Sequence, residues 1–564
     1  MVNLKAMPFY LSDEDIKWVD NTIANMTDEE KIGQLFVNLF LDFNPETLKE
    51  LIDKYHIGGA RYHGADSNAV YDLTANLQNY SKVPMLVACN CDSGGNGACS
   101  DGTYIASAAQ VEATGQDDIA YNVGYVSGKE ATAIGCNWNF DPCADILFNW
   151  RNTIVNTRAY GTTAEPVIKY TRAYIKGLRQ SNIASCIKHF PGDGTEERDQ
   201  HLVLGVNELS TEEWDESFGR VYKTAIDEGV MSIMAGHIAL PEYQKKLVPG
   251  LKDEDILPAT LAPELITGLL REQLDFNGLV VTDASHMIGL AAAMKRRDYV
   301  PASIAAGCDM FLFFNDHEED YSFMLDGYKN GVITEERLND ALQRILGLKA
   351  SLKLHEKQND GTLVPGKEII DIVGCQAHLD MAKEAADKGI TLVKNTRSEL
   401  PIKPSTHKRV KLYTLYGEMG GILGSTNESE NIIIEELEKV GFEVTLNDGM
   451  AREKGKTAEY SKNWDAALVF ADVRGYAAEN NVRIKWKMPM SNEIPWYVTE
   501  VPTAFVSLNF TTHLTDVPMV KTYINAYSNT RETIRQTIQK IMGESEFKGS
   551  HNDNVFCNKW EARR

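Results

Sequence analysis

The sequence predicts an α/β protein: a (β/α)₈ barrel of the TIM type over residues 1–350, then a smaller second α/β domain. Three observations predict it. The chain has 564 residues, too many for one ordinary core. Its first two thirds alternates short β-rich runs with amphipathic helical stretches, giving eight strand–helix units. The runs are continuously hydrophobic rather than alternating, as expected of strands covered on both faces in a parallel sheet. An open doubly wound sheet is the alternative, because strand count does not show closure.

In chain order the strands are "QLFVNLF" (34–40), "GARYH" (59–63), "PMLVACN" (84–90), "CNWNF" (136–140), "SCIKHF" (185–190), "VMSIMAG" (230–236), "GLVVTD" (278–283) and "MFLFF" (310–314). Helical patterns such as "EPVIKYTRAYIKGLRQ" and "TEEWDESFGRVYKTAIDEG" separate them. Ser210 with Glu213 forms a capping-box signal at the start of the latter, and Gly229 supplies its stop. Several strands end in ionisable or amide groups: His63, Asn90, Asp141, His189, His237, Asp283 and Asn315. In a barrel these ends share one face, so the side chains should converge there.

Residues 351–388 read as a polar linker and a connecting helix, and residues 389–564 as the second domain. Its strands are "VKLYTLYG", "FEVTLND", "AALVFAD", "TAFVSLN" and "KTYINAY". The glycines of "YGEMGGILGS" fall at 417, 420, 421 and 424, which does not match G-x-G-x-x-G, and Asp448 adds weak support. A tight strand-to-helix turn is therefore expected there rather than a dinucleotide site, and no cofactor is predicted.

Composition excludes several classes. The chain is 43% hydrophobic and 24% charged, with a net charge of −23, which disfavours nucleic-acid partners. No run is long enough for a membrane-spanning helix, and "MVNLKAMPFYLSDEDIKWVD" lacks the blocks of a secretory leader. The nine cysteines are odd in number and lie in apolar segments, which suits reduced, buried thiols in the cytoplasm. Cys89, Cys91 and Cys99 lack a second cysteine pair, so core packing is preferred to metal ligation.

Two segments carry chemistry. "KHFPGDGTEERDQH" (188–201) crowds polar groups at a strand end. His189, Asp193, Asp199 and His201 could ligate a metal; Lys188 could form a Schiff base; or a histidine could work as acid and base, since Asp199 and His201 flank one residue on a glycine-shaped loop. Lys188 and His189 should leave the strand on opposite sides. In "GLVVTDASHMIGL" (278–290), Asp283 is a nucleophile, a metal ligand or a helix cap. Taken with the first segment, catalysis is the better reading.

"KHFPGDGTEERDQH" resembles the Lys-His-Phe-Pro-Gly signature of glycoside hydrolase family three, and more narrowly its bacterial β-N-acetylglucosaminidase branch, which ends the loop with Asp-x-His. "VVTDASHMIGL" is similar to that family's nucleophile segment, and "NTRAYG", "SIMAGHIALP" and "GITLVKN" continue the likeness. The resemblance implies an αβα sandwich for the second domain. It implies Asp283 as nucleophile and His201 as acid and base, oriented by Asp199. It also implies Lys188, His189 and Arg158 on the sugar hydroxyls, with Met234 and His237 lining the same pocket. The chain departs from the family at "NCDSGGNGA" (90–98), where an Asp-x-Glu-Gly-Gly-Arg run is typical; depending on register, Asp92 replaces the first acid, or replaces the second with Asn90 at the first, and the arginine is missing.

The resemblance thus implies a retaining exo-glycosidase acting on terminal N-acetyl-β-D-glucosamine of muropeptide or chitin-type oligosaccharides, without metal. A histidine that has given up its proton is neutral, so an anionic acceptor meets little repulsion and phosphorolysis is an alternative to hydrolysis. β-Glucosidase or β-xylosidase activity would use the same mechanism, whereas metal-dependent hydrolysis would put a different chemistry on the same barrel. Trp486, Trp496 and Tyr497 could stack on a sugar but fit a core better. Oligomeric state is not readable from the sequence.

Overall fold

A computed structural model describes residues 2–417, 428–448, 457–475, 477 and 479–564. The chain forms two compact units. The first comprises residues 1–104, 120–148 and 163–378, the second residues 105–119, 149–162 and 379–564.

The first unit is a closed parallel barrel. Its strands are β1 (Phe36–Phe40), β2 (Gly59–Tyr62), β3 (Leu86–Cys89), β4 (Trp138–Asn139), β5 (Ala184–Phe190), β6 (Ser232–Ala235), β7 (Leu279–Ala284) and β8 (Met310–Leu312). β1 pairs with both β2 and β8, which closes the sheet and removes the open-sheet alternative. Each of the eight expected runs holds one of these strands. β3, β5 and β6 are buried along their whole length, as their unbroken hydrophobicity requires.

Local signals act as read. Ser210 accepts a hydrogen bond from the Glu213 amide at 3.2 Å, while Glu213 accepts from the Ser210 amide at 3.0 Å. The helix that follows widens into a π turn over Asp215–Gly219 before resuming at Arg220–Asp227, and Gly229 beyond it has φ +78°. A short parallel ribbon pairs Gly205–Val206 with Ile238–Ala239, joining the loop after β5 to the loop after β6.

The second unit holds a six-stranded sheet: β9 (Thr391–Asn395), β10 (Arg409–Tyr416), β11 (Glu443–Leu446), β12 (Ala466–Asp472), β13 (Thr503–Ser507) and β14 (Thr522–Asn525), in the order β9-β14-β13-β12-β10-β11. Only β9 is antiparallel to its neighbour. Side chains alternate between two cores. Val410, Leu412, Leu468 and Ile524 meet helices Glu428–Lys439 and Arg531–Ile541 through Leu437 and Ile538. Tyr413, Val469, Phe505 and Tyr523 face the other way and are covered by short helical turns carrying Tyr497, Val555 and Phe556. Tyr497 is fully buried and stacks on Tyr413 with centroids 4.4 Å apart, and Trp486 and Trp496 pack against the same core. Of the glycine-rich turn, Gly420, Gly421 and Gly424 lie outside the described residues.

Among the described residues no helix is long and apolar enough to cross a membrane. All nine cysteines are unpaired, and all but Cys375 are buried.

Candidate active site

The site begins with β7. Val280 and Val281 are fully buried, and Thr282 accepts the Leu312 amide at 2.9 Å, so the strand is fixed up to Asp283. The carboxylate of Asp283 accepts from the Ala284 amide at 2.7 Å and keeps 14% exposure. It caps no helix: the next one starts at Ile288 behind Met287, which makes no side-chain cap. Burial raises the pKa of Asp283, but His189, His237, His201 and the Ala284 N–H outweigh it and hold the carboxyl below the ordinary value. An ionised, partly exposed carboxylate is the form a nucleophile needs.

β5 supplies the next two groups. The ladder between β5 and β6 shifts register between Ile187 and Phe190. Both Lys188 and His189 meet carboxylates from neighbouring loops. The Lys188 ammonium lies 2.9 Å from Asp141 and 3.5 Å from Asp92. His189 shares its Nδ1 with Asp145 at 2.8 Å and points Nε2 at Asp283, 3.9 Å away. A carboxylate on Nδ1 fixes the tautomer with the proton there and orients the ring so that Nε2 faces Asp283.

The Asp199–His201 pair sits on the loop after β5. Asp199 is 2% exposed and accepts from both the amide and the Nδ1 of His201, at 2.8 and 2.7 Å. The ring keeps 25% exposure, with Nε2 as the atom that can exchange a proton with a bound molecule. The loop is shaped by its glycines. A Cβ on Gly194, at φ +107°, would lie 2.1 Å from the Ile146 carbonyl. Asp193 holds the loop, its amide bonding Asp145 and its carboxylate accepting from the Gly194 amide and, at 3.5 Å, from Gln200. The His201 loop is then sewn to the loop after Asp283: Ile288 N–H donates to the His201 carbonyl at 3.0 Å and Gly289 N–H to the Gln200 carbonyl at 3.1 Å.

The remaining candidates divide. Asp92 is one-third exposed beside Lys188. Asn90 accepts from the Arg61 guanidinium at 3.1 Å, so a cation from the end of β2 stands at the loop that lacks the family's arginine. Met234 is 3% exposed in β6. His237 is fully buried with both nitrogens engaged, Nδ1 by Thr260 at 2.9 Å and Nε2 by the Ala284 carbonyl at 3.0 Å. It supports the end of β7 rather than offering a nitrogen to a sugar, and burial lowers its pKa. Arg158 belongs to the second unit, where its amide closes a turn on Val155. Among the described residues, His189 and His201 do not fall in one cluster of metal-ligating atoms. The clusters at this site are Cys143–Asp145–His189 and Asp92–Asp141–Cys143, and the Lys188 ammonium already stands beside both acids of the second. A cavity of about 520 Å³ around Trp18, Gln34, His56 and Tyr80 includes none of these residues.

Comparison with known proteins decides the family. The sequence profile described as glycosyl hydrolase family 3 N-terminal domain matches residues 27–348. The chain belongs to glycosyl hydrolase family 3. It is 39% identical, over the full length of both chains, to a beta-N-acetylglucosaminidase/beta-glucosidase from Cellulomonas fimi. A beta-hexosaminidase A from Pseudoalteromonas piscicida is 28% identical over 62% of each chain. Among solved structures, a beta-glucoside phosphorylase superposes with TM-score 0.93 at 36% identity, covering 99% of both chains. As a member of family 3 the protein is a glycoside hydrolase, a retaining exo-glycosidase built on a barrel with a separate sheet domain.

Sequence reasoning missed Asp145, Gln200 and Arg61, and left Asp141 as a strand-end carboxylate without a task. Only "DPCADI", with two acids in a buried apolar stretch, carried a signal.

Proposed function

We propose that this family 3 enzyme removes a terminal β-linked N-acetylglucosamine or glucose unit by double displacement. Asp283 attacks the anomeric carbon while His201 protonates the departing glycosidic oxygen, giving a glycosyl ester on Asp283 and a neutral imidazole. His201 then takes a proton from the incoming acceptor as that acceptor displaces Asp283. Asp199 holds the ring and stabilises the imidazolium. Lys188, His189 and Asp92 bind sugar hydroxyls. The observation that carries the reading is the 2.7 Å Asp199–His201 contact on a loop bonded to the nucleophile loop. Oligosaccharides from cell-wall or chitin-type polymers are the substrate class, and nine unpaired thiols support a reducing, cytoplasmic compartment. Incubation with a slow 2-deoxy-2-fluoro-glucosyl substrate and peptide mapping tests it: the label is expected on Asp283, and a label elsewhere overturns it.

Phosphate as acceptor is the second reading. The full-length likeness to a beta-glucoside phosphorylase favours it, and so does an acid–base group that loses charge when it donates its proton. A carboxylate in that role would become an anion facing phosphate. Faster turnover of nitrophenyl β-glycosides with phosphate, together with sugar 1-phosphate in the phosphorus spectrum, supports this acceptor; free sugar alone, unaffected by phosphate, rejects it.

A further inference from the structure

The segment Asp141–Asp145 runs alongside β5. Cys143 forms a parallel bridge with Lys188, and the Ala144 amide donates to the Lys188 carbonyl at 2.6 Å. Its two acids, four residues apart, therefore serve consecutive residues of β5: Asp145 takes His189 and Asp141 takes Lys188.

The two pairs differ. Asp145 is fully employed, accepting from His189 Nδ1 and from the amides of His189 and Asp193. Asp141 has no exposed surface, and neither of its oxygens has a hydrogen-bond partner in good geometry, although the Lys188 ammonium lies 2.9 Å away. Asp92 shares the same ammonium at 3.5 Å and accepts from the Cys143 thiol at 3.8 Å. Two carboxyl groups thus converge on one cation, and only Asp92 reaches solvent, at 33% exposure against 1% for Lys188.

We propose that Asp141 is a positioning residue of the sugar subsite, which with Lys188 fixes Asp92 as the acceptor of sugar hydroxyls. This rests on the reading of Asp92 and Lys188 as sugar-binding groups. An ionised Asp141 would be a buried charge without a hydrogen bond, set beside the Asp92 carboxylate. A protonated Asp141 avoids that charge, gives the Asp92 carboxylate a donor and leaves Asp92 facing the sugar. Burial and the neighbouring Asp92 both push the Asp141 carboxyl well above the ordinary carboxylate range, in the same direction. The neutral carboxyl and the ammonium hold Asp92 from behind, and the carboxylate's outer face is what a hydroxyl meets.

Binding of glucose and N-acetylglucosamine to the full chain, measured by calorimetry, tests this without requiring turnover. Asp141→Asn keeps volume and a donor and should bind within about threefold of wild type. Asp141→Ala and the bulkier Asp141→Leu remove the donor and should weaken binding tenfold or more. Asp92→Asn combined with Asp141→Leu should be no weaker than Asp92→Asn alone, because Asp141 acts through Asp92. If one truncation fails to fold by thermal melting, the other is read. Wild-type binding by both truncations overturns the proposal, as does an Asp141→Asn protein as weak as Asp141→Leu, or additive losses in the double variant. Failure of the functional reading shows separately, as a wild-type enzyme that is not labelled on Asp283.

Discussion

The amide of Ile288 donates to the carbonyl of His201 across 3.0 Å. It joins the loop that carries His201 to the turn five residues beyond Asp283, so neither loop can shift without the other. Gly289 completes the seam. A Cβ there would stand 2.9 Å from the Gln200 carbonyl and 3.0 Å from His237 Cβ. Gly289→Ala is therefore expected to displace His201, lowering kcat/KM about 10- to 100-fold on glycosides with poor leaving groups. Dinitrophenyl glycosides, whose aglycone departs without protonation, should lose much less. Equal losses on both would show that the seam does not position the acid.

Asp199→Asn removes the charge that stabilises the imidazolium while keeping the side chain's size. Turnover should fall about 100- to 10,000-fold, the usual weight of a general acid–base group. His201→Ala should fall as far, and azide should restore turnover of activated substrates by forming the glycosyl azide. Unchanged rates in both variants would remove the pair from the mechanism.

Asp145 accepts three hydrogen bonds in a buried place, from His189 Nδ1 at 2.8 Å and from the amides of His189 and Asp193 at 3.1 and 2.8 Å. Asp145→Ala strands all three donors. Each stranded donor costs about 1–3 kcal/mol, so a loss of at least about 3 kcal/mol is expected in urea unfolding. Labelling of Asp283 should slow as well, because His189 loses its orientation. A stability loss with unaltered labelling would make Asp145 a structural residue only.

Lys349 has no exposed surface and donates to Gln34 at 2.7 Å. Burial pushes its pKa down to about 7 from 10.5 in the free side chain. Below about pH 7 both folded and unfolded chains carry the proton, so the penalty of the buried charge is complete and constant. Between about 7 and 10.5 the unfolded chain binds more protons, so stability rises with pH; above that range it levels off. The difference in unfolding free energy between wild type and Lys349→Met should narrow by about 2 kcal/mol from pH 7 to 9. A difference independent of pH would mean that Lys349 keeps its proton in the folded chain, its charge still hydrated.

The barrel was legible because its strands are short, unbroken hydrophobic runs separated by capped helices, and parallel burial leaves little else for such runs to do. Asp283 was legible because a polar group ending an apolar strand stands out, and Asp199 and His201 because they flank one residue on a glycine-shaped loop that resembles the family's signature. The environment of each was not. Asp141 and Asp145 act through β5, some 45 residues on, a separation no local pattern reports. His237 ends a strand and the family resemblance put it on the pocket wall, yet tertiary packing gave both its nitrogens to Thr260 and Ala284. Membership of a core is equally silent: Ala109 and Ala113 pack with Tyr527 of the second unit, though they lie between barrel strands in sequence.

The ribbon of Gly205–Val206 with Ile238–Ala239 fastens the far end of the loop that Gly192 and Asp193 fasten at its start. Between these moorings only Glu197 and Arg198 are exposed, and Arg198 pairs with Glu196. Directed evolution of acceptor preference therefore has a natural foothold in those two codons, beside His201 but outside the contacts that hold its ring.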